Sequence, residues 1–551
     1  MRHGGRILVD QMVALGVERV FTVPGESFLP VLDALFDTPS IATIVCRHES
    51  GAAMMAEATG KLRGRPGVAI VTRGPGAANA MSGIHIAGQD QTPMLLLVGL
   101  HAGGEEDREC FQEIDLRGLF GSMAKWTAVV RSPERLPEIL ARAYHLTMSG
   151  RPGPVVLGLP EDVLSGTAVI ADAMAPTPVA VPPSPDALAA IGQMLDRAER
   201  PLVIAGGPGW SEAAAQDLSR VATAFQLPVA TAFRRQDAID NRHPCYVGHL
   251  GLAAEAKLAA AVRGADLVIA IATRLDDVTT GADRLIATPD PSQQLVHIHP
   301  APDQIGRLHR TQLPIVADAQ SALAGLAALP APTAAPAWAT FRRDLRAAYE
   351  ATLEPMATPG AVKLEQIVAI ASRCLPEDAI VTNGAGNYAA FLHRYFVYKR
   401  FNTQLAPGSG SMGYGLPAAI AAKLANPTAP VVAFAGDGCL TMSLGEVATA
   451  VQYGLPIVVV VANNAMYGTI RMHQERQFPG RVIATTLVNP DFAALARSFG
   501  ARGVRIEHTE AFEPALLEAL QQSRPTLIEL ILDPQALTPR ATLAAIRSGQ
   551  G

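Results

Sequence analysis

No two of the five cysteines (Cys46, Cys110, Cys245, Cys374, Cys439) stand in a CxxC pair, so neither a zinc-site spacing nor a disulfide framework is present. A reducing cytoplasm is the natural setting for scattered thiols. Charge is sparse too. Only 17% of residues are charged, the net charge is −5, and no Lys/Arg stripe stands out, which argues against a nucleic-acid surface. No apolar run reaches the length of a membrane span. The opening MRHGGRILVDQMVALGV reads as an amphipathic helix rather than a signal peptide. With 49% apolar residues over 551 positions, the composition suits a large globular α/β protein of two to four domains.

What the chain does contain is a recurring alternation of short apolar runs, Gly/Pro tips and Ala-rich helical stretches. In the first 165 residues these are VERVFTVPG, IATIVCRHESGAAMMAEATGKLRG, GVAIVTRGPGAAN and MLLLVG. Such alternation predicts a doubly wound parallel sheet. Prolines 176, 178, 182, 183 and 185 mark a linker over residues 173–185, and Pro330, Pro332 and Pro336 mark another. Between them PLVIAGGPGWSEAA, ADLVIAIATRLDD and LVHIHP predict a second α/β block. A third begins near Val362. The expected division is 1–170, 186–330 and 360–551, three doubly wound α/β domains.

The most informative stretch is VVAFAGDGCLTMSLGEVATAVQYGLPIVVVVANNAMYG, residues 431–468. Val431 to Ala435 and Ile457 to Ala462 read as buried strands. Ser443 to Tyr453 reads as a helix with Leu444, Val447, Ala448 and Val451 on one face, stopped by Gly454 and Pro456. Strand, helix, strand implies parallel pairing. Gly436-Asp437-Gly438 and Asn463-Asn464 then share the carboxyl edge, where ligands bind. Asp437 and Asn464 offer hard oxygens of the kind Mg²⁺ takes beside phosphates. Gly436 and Gly438 allow a phosphate close approach, and the helix start behind them favours negative charge. GDG by itself also suits an ordinary turn; the Asn pair at the next tip favours a diphosphate held through Mg²⁺.

GDG, a helix and strand, then NN resembles the signature of thiamine-diphosphate enzymes, and nearly the whole chain is similar to the acetolactate synthase and 2-oxo acid decarboxylase superfamily. The resemblance implies a carbon–carbon lyase/ligase acting on a 2-oxo acid, or on an aldehyde, with pyrimidine-binding, central and diphosphate-binding domains. Its cofactors would be thiamine diphosphate and Mg²⁺, the metal held by Asp437, Asn464 and the carbonyl of Met466. Gly436, Gly438, Cys439, Tyr467 and Gly468 would line the same cofactor. Arg47-His48-Glu49 resembles the segment carrying the glutamate that hydrogen-bonds N1′ of the aminopyrimidine, shifts it to the imino form and leads to loss of the C2 proton. From local sequence alone, Glu49 also suits a first-turn helix charge.

The resemblance places Pro24, Gly25 and Glu26 against the pyrimidine edge and makes Asn79, in the Gly-rich loop 74–79, a polar contact. Gly384, Gly386 and Asn387 would meet the diphosphate. By form they also imitate a dinucleotide loop, but no acidic residue completes that fingerprint. Ser411 and Met412 lie where the family wedges a bulky residue between the cofactor rings. Bending the cofactor this way is a proximity effect, whereas a Met read alone is usually core filler. Phe111, Gln112 and Lys125 resemble residues that approach substrate from a neighbouring subunit; read locally, 111–113 is a solvated loop with a buried Phe. Glu49 and Asp437 would then come from different subunits, giving a homodimer or homotetramer.

Three departures stand out. Val278, in RLDDV, replaces the Arg that grips the acceptor's carboxylate, His473 replaces an acceptor-selecting Trp, and GAGN at 384–387 replaces GQHQ. They leave decarboxylation intact and weaken the case for a 2-oxo acid as acceptor, so a simple decarboxylase or acyloin lyase is the alternative. The central domain of acetolactate synthases carries FAD, so the resemblance leaves FAD open, although no residue here supports it.

Overall fold

The structure is a computed structural model describing residues 1–175, 179–252 and 254–549. Pro176 and Pro178 of the first linker lie outside the described residues. The chain forms two compact units. One comprises Met1–Val179, Pro407–Pro427 and Met442–Leu455; the other comprises Ala180–Ala406, Thr428–Thr441 and Pro456–Gly551.

The first unit is built on six parallel strands, in the order Ala42–Val45, Arg19–Thr22, Gly67–Val71, Met94–Leu100, Pro154–Pro160 and Trp126–Val129. Numbered along the chain this is 2-1-3-4-6-5. The inner strands Met94–Leu100 and Pro154–Pro160 are buried along their whole length, as expected when both faces are covered. On one face Ile7, Leu8 and Met12 of the helix Gly4–Ala14 meet Val31, Leu35, Leu140 and Tyr144. The predicted amino-terminal amphipathic helix is therefore present. The helices Glu49–Arg63 and Gly74–Asp90 pack against each other. They do so at very short range, since a Cβ on Gly83 would stand 2.4 Å from the Ala53 Cβ. Small residues in these stretches thus serve helix–helix contact. The helix Gly415–Ala425 packs on Glu49–Arg63 as a further part of this unit.

The second unit carries two more six-stranded parallel sheets. The central sheet runs Tyr246–His249, Val229–Thr231, Pro201–Ala205, Leu267–Ile271, Gln294–His299, Leu313–Val316, an order of 3-2-1-4-5-6. Trp338 and Tyr349 join its core, so the helix Ala339–Thr352, unread in the sequence, packs with this sheet. The third sheet runs Gln404–Leu405, Ile380–Asn383, Val431–Gly436, Val458–Asn463, Thr526–Ile531, Arg502–Ile506. That is again 2-1-3-4-6-5. The three doubly wound parallel sheets predicted from the alternation are all present.

Three local readings are corrected. The helix expected over Ser443–Tyr453 is shorter, Glu446–Gln452, and a separate helical turn, Asp437–Thr441, precedes it. Its buried positions are Glu446, Val447, Thr449 and Ala450, while Leu444, Ala448 and Val451 are only half-buried. The cause is Glu446: its carboxylate accepts from the backbone N–H of Arg47 and His48 and from the Thr449 hydroxyl, and so turns that face inward. Residues 74–79 are not a loop but the start of the helix Gly74–Asp90, because Pro75 suits a first turn and Ala77 and Ala78 extend it. Pro185 is likewise not linker. It opens the helix Pro185–Leu195, whose amino end Ser184 caps. Among the described residues no helix is long and apolar enough to cross a membrane.

Candidate active site

In a sheet of order 2-1-3-4-6-5 the winding reverses between the first and third strands, and the carboxyl ends there open a crevice. In the first unit those ends are Thr22 and Val71. Gly25 follows the first of them; a Cβ there would stand 2.6 Å from the Thr72 Cβ, so only glycine lets the two tips meet. Ser27 and Thr72 share a hydroxyl contact of 2.9 Å beneath it. Pro24 and Glu26 are exposed above. Glu49 is the first residue of its helix and 9% exposed, with His48 as the cap. Its Oε2 accepts from Asn79 Nδ2 at 2.9 Å, and its Oε1 lies 3.4 Å from where a Gly76 Cβ would be. Gln112 reaches the same edge: its carbonyl would stand 2.8 Å from a Gly74 Cβ.

Phe111, beside it, is 70% exposed, so the loop does not bury it. Lys125 is not among this group. It precedes the strand Trp126–Val129 and pairs at Pro154, on the amino edge, and its ammonium is bound by the carbonyls of Leu146 and Ser149. The three residues expected to act together are thus split between opposite edges of one sheet. Arg73 was not read from the sequence, yet it ion-pairs Glu26 and Glu161 and ties three strand ends together. Ser411 and Met412 lie in the loop before the helix Gly415–Ala425, both half-buried.

In the second unit the equivalent reversal falls between Ile380–Asn383 and Val431–Gly436. Gly384 and Gly386 follow the first strand, Gly386 with a φ of 150°. Tyr388, also unread, accepts from the Gly384 N–H at 3.0 Å and donates to the Cys439 sulfur at 3.6 Å. Gly436 closes the other strand and Asp437 begins a helical turn, 3% exposed. Asp437 Oδ1 accepts from the Gly438 N–H at 2.8 Å and Oδ2 from Asn489 Nδ2 at 2.7 Å. The same Asn489 amide lies 2.9 Å from Asn463 Oδ1, and Asn463 in turn donates to the buried Glu529. One side chain therefore bridges the two tips that the sequence placed side by side.

Burial pushes the Asp437 carboxyl up. The N–H of Gly438, the Asn489 amide and the backbone of Ala465 and Met466 work against that shift. The carboxylate thus faces the Asn464–Met466 turn, in which Ala465 adopts a φ of 54°. Asn464 Oδ1 accepts from the Met466 N–H at 3.3 Å, and the Met466 carbonyl accepts from Gly468 at 2.9 Å. A carboxylate, an amide oxygen and a carbonyl form an all-oxygen donor set of the kind Mg²⁺ takes. Tyr467 packs where a Gly438 Cβ would be, at 2.6 Å. Asn387 accepts from Thr469, and His473 is exposed on the helix Gly468–Gln477.

Three segments match known domain families: residues 2–119 the thiamine pyrophosphate enzyme N-terminal TPP binding domain, 188–326 the central domain, and 384–530 the C-terminal TPP binding domain. The acetolactate synthase large subunit of Parasynechococcus marenigrum is 34% identical over 96% of this chain and 87% of its own. The chain belongs to the thiamine pyrophosphate enzyme family. The acetolactate synthase isozyme 2 large subunit of Escherichia coli is 31% identical over 96% of both chains, and the acetolactate synthase large subunit of Corynebacterium glutamicum is 30% identical over 97% of this chain and 87% of its own. In this thiamine pyrophosphate enzyme the first and third sheets fall in the segments matched by the two TPP binding domains. In the central domain, Gly207 is needed because a Cβ there would meet the Ala272 carbonyl at 1.8 Å. That glycine serves close backbone packing between the two strand ends.

Proposed function

We propose that this thiamine pyrophosphate enzyme decarboxylates a 2-oxo acid and ligates the retained fragment to a second carbonyl compound, in the manner of an acetolactate synthase. The observation that carries the reading is Glu49, a carboxylate nine-tenths buried at a sheet reversal and oriented by Asn79. Bound thiamine diphosphate supplies the nucleophilic carbon and the electron sink that decarboxylation needs. Glu49 holds the proton exchanged with the pyrimidine nitrogen, and Asn79 keeps its carboxylate in one orientation. Asp437, Asn464 and the Met466 carbonyl hold Mg²⁺ against the diphosphate, with Gly384, Gly386, Gly436 and Gly438 giving backbone access. Met412 would support the cofactor's rings, and Phe111, Gln112 and Lys125 would approach the substrate held by a neighbouring subunit. FAD is not part of this reading.

A homodimer or homotetramer in a reducing cytoplasm is the proposed setting, and the domain limits 1–170, 186–330 and 360–551 are proposed with it. The deciding experiment supplies pyruvate with or without 2-oxobutyrate or acetaldehyde and separates the products. Carboligated products that require thiamine diphosphate and vanish in Glu49→Gln support the reading. Free acetaldehyde as the sole product would reduce the enzyme to a simple decarboxylase.

A further inference from the structure

Three ionisable side chains lie buried together in the first unit, outside the residues assigned above. Glu57 is fully buried, and Lys61 stands one helical turn later with its ammonium 3.0 Å from Glu57 Oε1. The same ammonium lies 2.7 Å from Asp90 Oδ2, at the end of the neighbouring helix. Burial presses against the Lys61 charge, but Asp90 and Glu57 outweigh it and hold the ammonium above its ordinary value. A buried ion cluster is costly unless its remaining oxygens are hydrogen-bonded. Here they are, and most of the donors belong to one loop.

Asp90 accepts from the backbone N–H of Gly408 at 2.7 Å and of Ser409 at 2.8 Å. Glu57 Oε2 accepts from the Tyr414 hydroxyl at 2.5 Å, with Thr92 on its other oxygen at 2.6 Å. Lys61 also sits 5.3 Å from the centre of the Tyr414 ring. The cluster thus grips residues 408–409 and residue 414, the two ends of the loop whose apex is Met412. Gly408 has no spare room: a Cβ there would stand 3.0 Å from Asp90 Oδ1. A two-ended clamp of backbone and side-chain bonds fixes an apex better than packing of a half-buried Met does, because the loop loses its freedom on both sides.

We infer that Asp90, Lys61 and Glu57 are positioning residues that set the height of Met412, and through it the bend of the cofactor. The inference rests on the role proposed for Met412. A misplacement of about 1 Å in a catalytic arrangement costs on the order of 10²-fold. The test measures hydrogen–deuterium exchange at C2 of bound thiamine diphosphate, at saturating cofactor, alongside melting temperature.

Asp90→Asn, which keeps shape but weakens two backbone bonds, and Tyr414→Phe, which removes only a hydroxyl, are expected to fold. Each should slow exchange by about 10- to 100-fold. Met412→Ala should do the same. The double variant Asp90→Asn/Met412→Ala should be no slower than Met412→Ala alone, because the two act through one contact. Lys61→Arg should keep exchange close to the parent rate. Multiplicative losses in the double variant, or parent-rate exchange in both Asp90→Asn and Tyr414→Phe while Met412→Ala is slow, overturn the clamp alone. Parent-rate exchange in Met412→Ala overturns the wedge reading and the clamp with it.

Discussion

Asn79 donates from Nδ2 to Oε2 of Glu49 over 2.9 Å, so a side chain in the second turn of one helix orients the carboxylate that starts the helix beside it. The two residues follow the strands Ala42–Val45 and Gly67–Val71, which flank Arg19–Thr22 on either side. Proton transfer by a positioned group is worth about 10²- to 10⁴-fold. Glu49→Gln is therefore expected to retain cofactor binding and to slow C2 exchange and turnover within that range. Asn79→Ala removes one hydrogen bond to a charged acceptor, of about 1.5–3 kcal/mol, and should cost roughly 10- to 100-fold. Parent-rate exchange in Glu49→Gln would leave Glu49 as a helix-start charge only.

Asn489 is expected to govern metal affinity without being a ligand. Its amide holds Asp437 Oδ2 and faces Asn463 Oδ1, which in turn leans on Glu529. Loss of such a supporting contact typically weakens metal affinity by about 10- to 100-fold. Titration calorimetry of Mg²⁺ with thiamine diphosphate present should show that loss in Asn489→Ala, and no measurable binding in Asp437→Ala. Unchanged affinity in Asp437→Ala would remove Asp437 from the metal site.

Acid should destabilise the second unit through its buried imidazoles as the pH falls below about 6.5. Burial lowers His249 to about 4, opposed by the Leu252 backbone and aided by Arg540 and Arg394. His393 is held well below its ordinary value by burial, Arg234 and His249. Above the unfolded value near 6.5 both states are neutral, and pH has no effect through these groups. Between about 6.5 and 4 the unfolded chain takes up the proton and the folded chain does not, so stability falls as pH falls. For His249 the total is roughly 3 kcal/mol. Urea midpoints of the parent should decline across that window, and His249→Gln should flatten the slope. A parent midpoint constant from pH 7 to 4.5 would contradict the buried neutral imidazoles.

Val278 is half-buried at the start of the short helix Asp277–Thr280, and on the proposed reading it would leave an acceptor carboxylate without a cationic partner at this position. A hydrogen bond to a charged group contributes about 1.5–3 kcal/mol, or one to two powers of ten in selectivity. With pyruvate and acetaldehyde in competition, Val278→Arg should shift product from acyloin toward acetolactate by that factor. An unchanged product ratio would mean that position 278 does not face the acceptor.

Legibility in the sequence followed how local each determinant is. Val431–Gly436 and Val458–Asn463 were readable because a strand buried on both faces must be apolar at every position. Trp126–Val129 was not read as a strand, since an edge strand with a half-buried pattern carries a weaker signal. The helix around Glu446 was misjudged because a buried carboxylate breaks the apolar stripe, and its partners at Arg47 and His48 lie far off in sequence. Asn489 and Tyr388 escaped notice for the same reason: each is defined by contacts with distant strand ends. Lys125 stands at the amino edge of its own sheet, a placement set by strand direction that its short local segment does not carry.

The first and third sheets share the strand order 2-1-3-4-6-5, so their tips correspond slot for slot. Behind the second strand, one sheet leads to Glu49 and the other to Met412; behind the third, one leads to Asn79 and the other to Asp437. On the proposed roles, one frame is furnished twice, once with groups for a proton and once with groups for a cation and a cofactor ring. Behind the fifth strands, residues 130–132 and 507–508, neither copy carries any of these groups. Those slots are where a loop graft or a reporter could be inserted with the least cost to the chemistry.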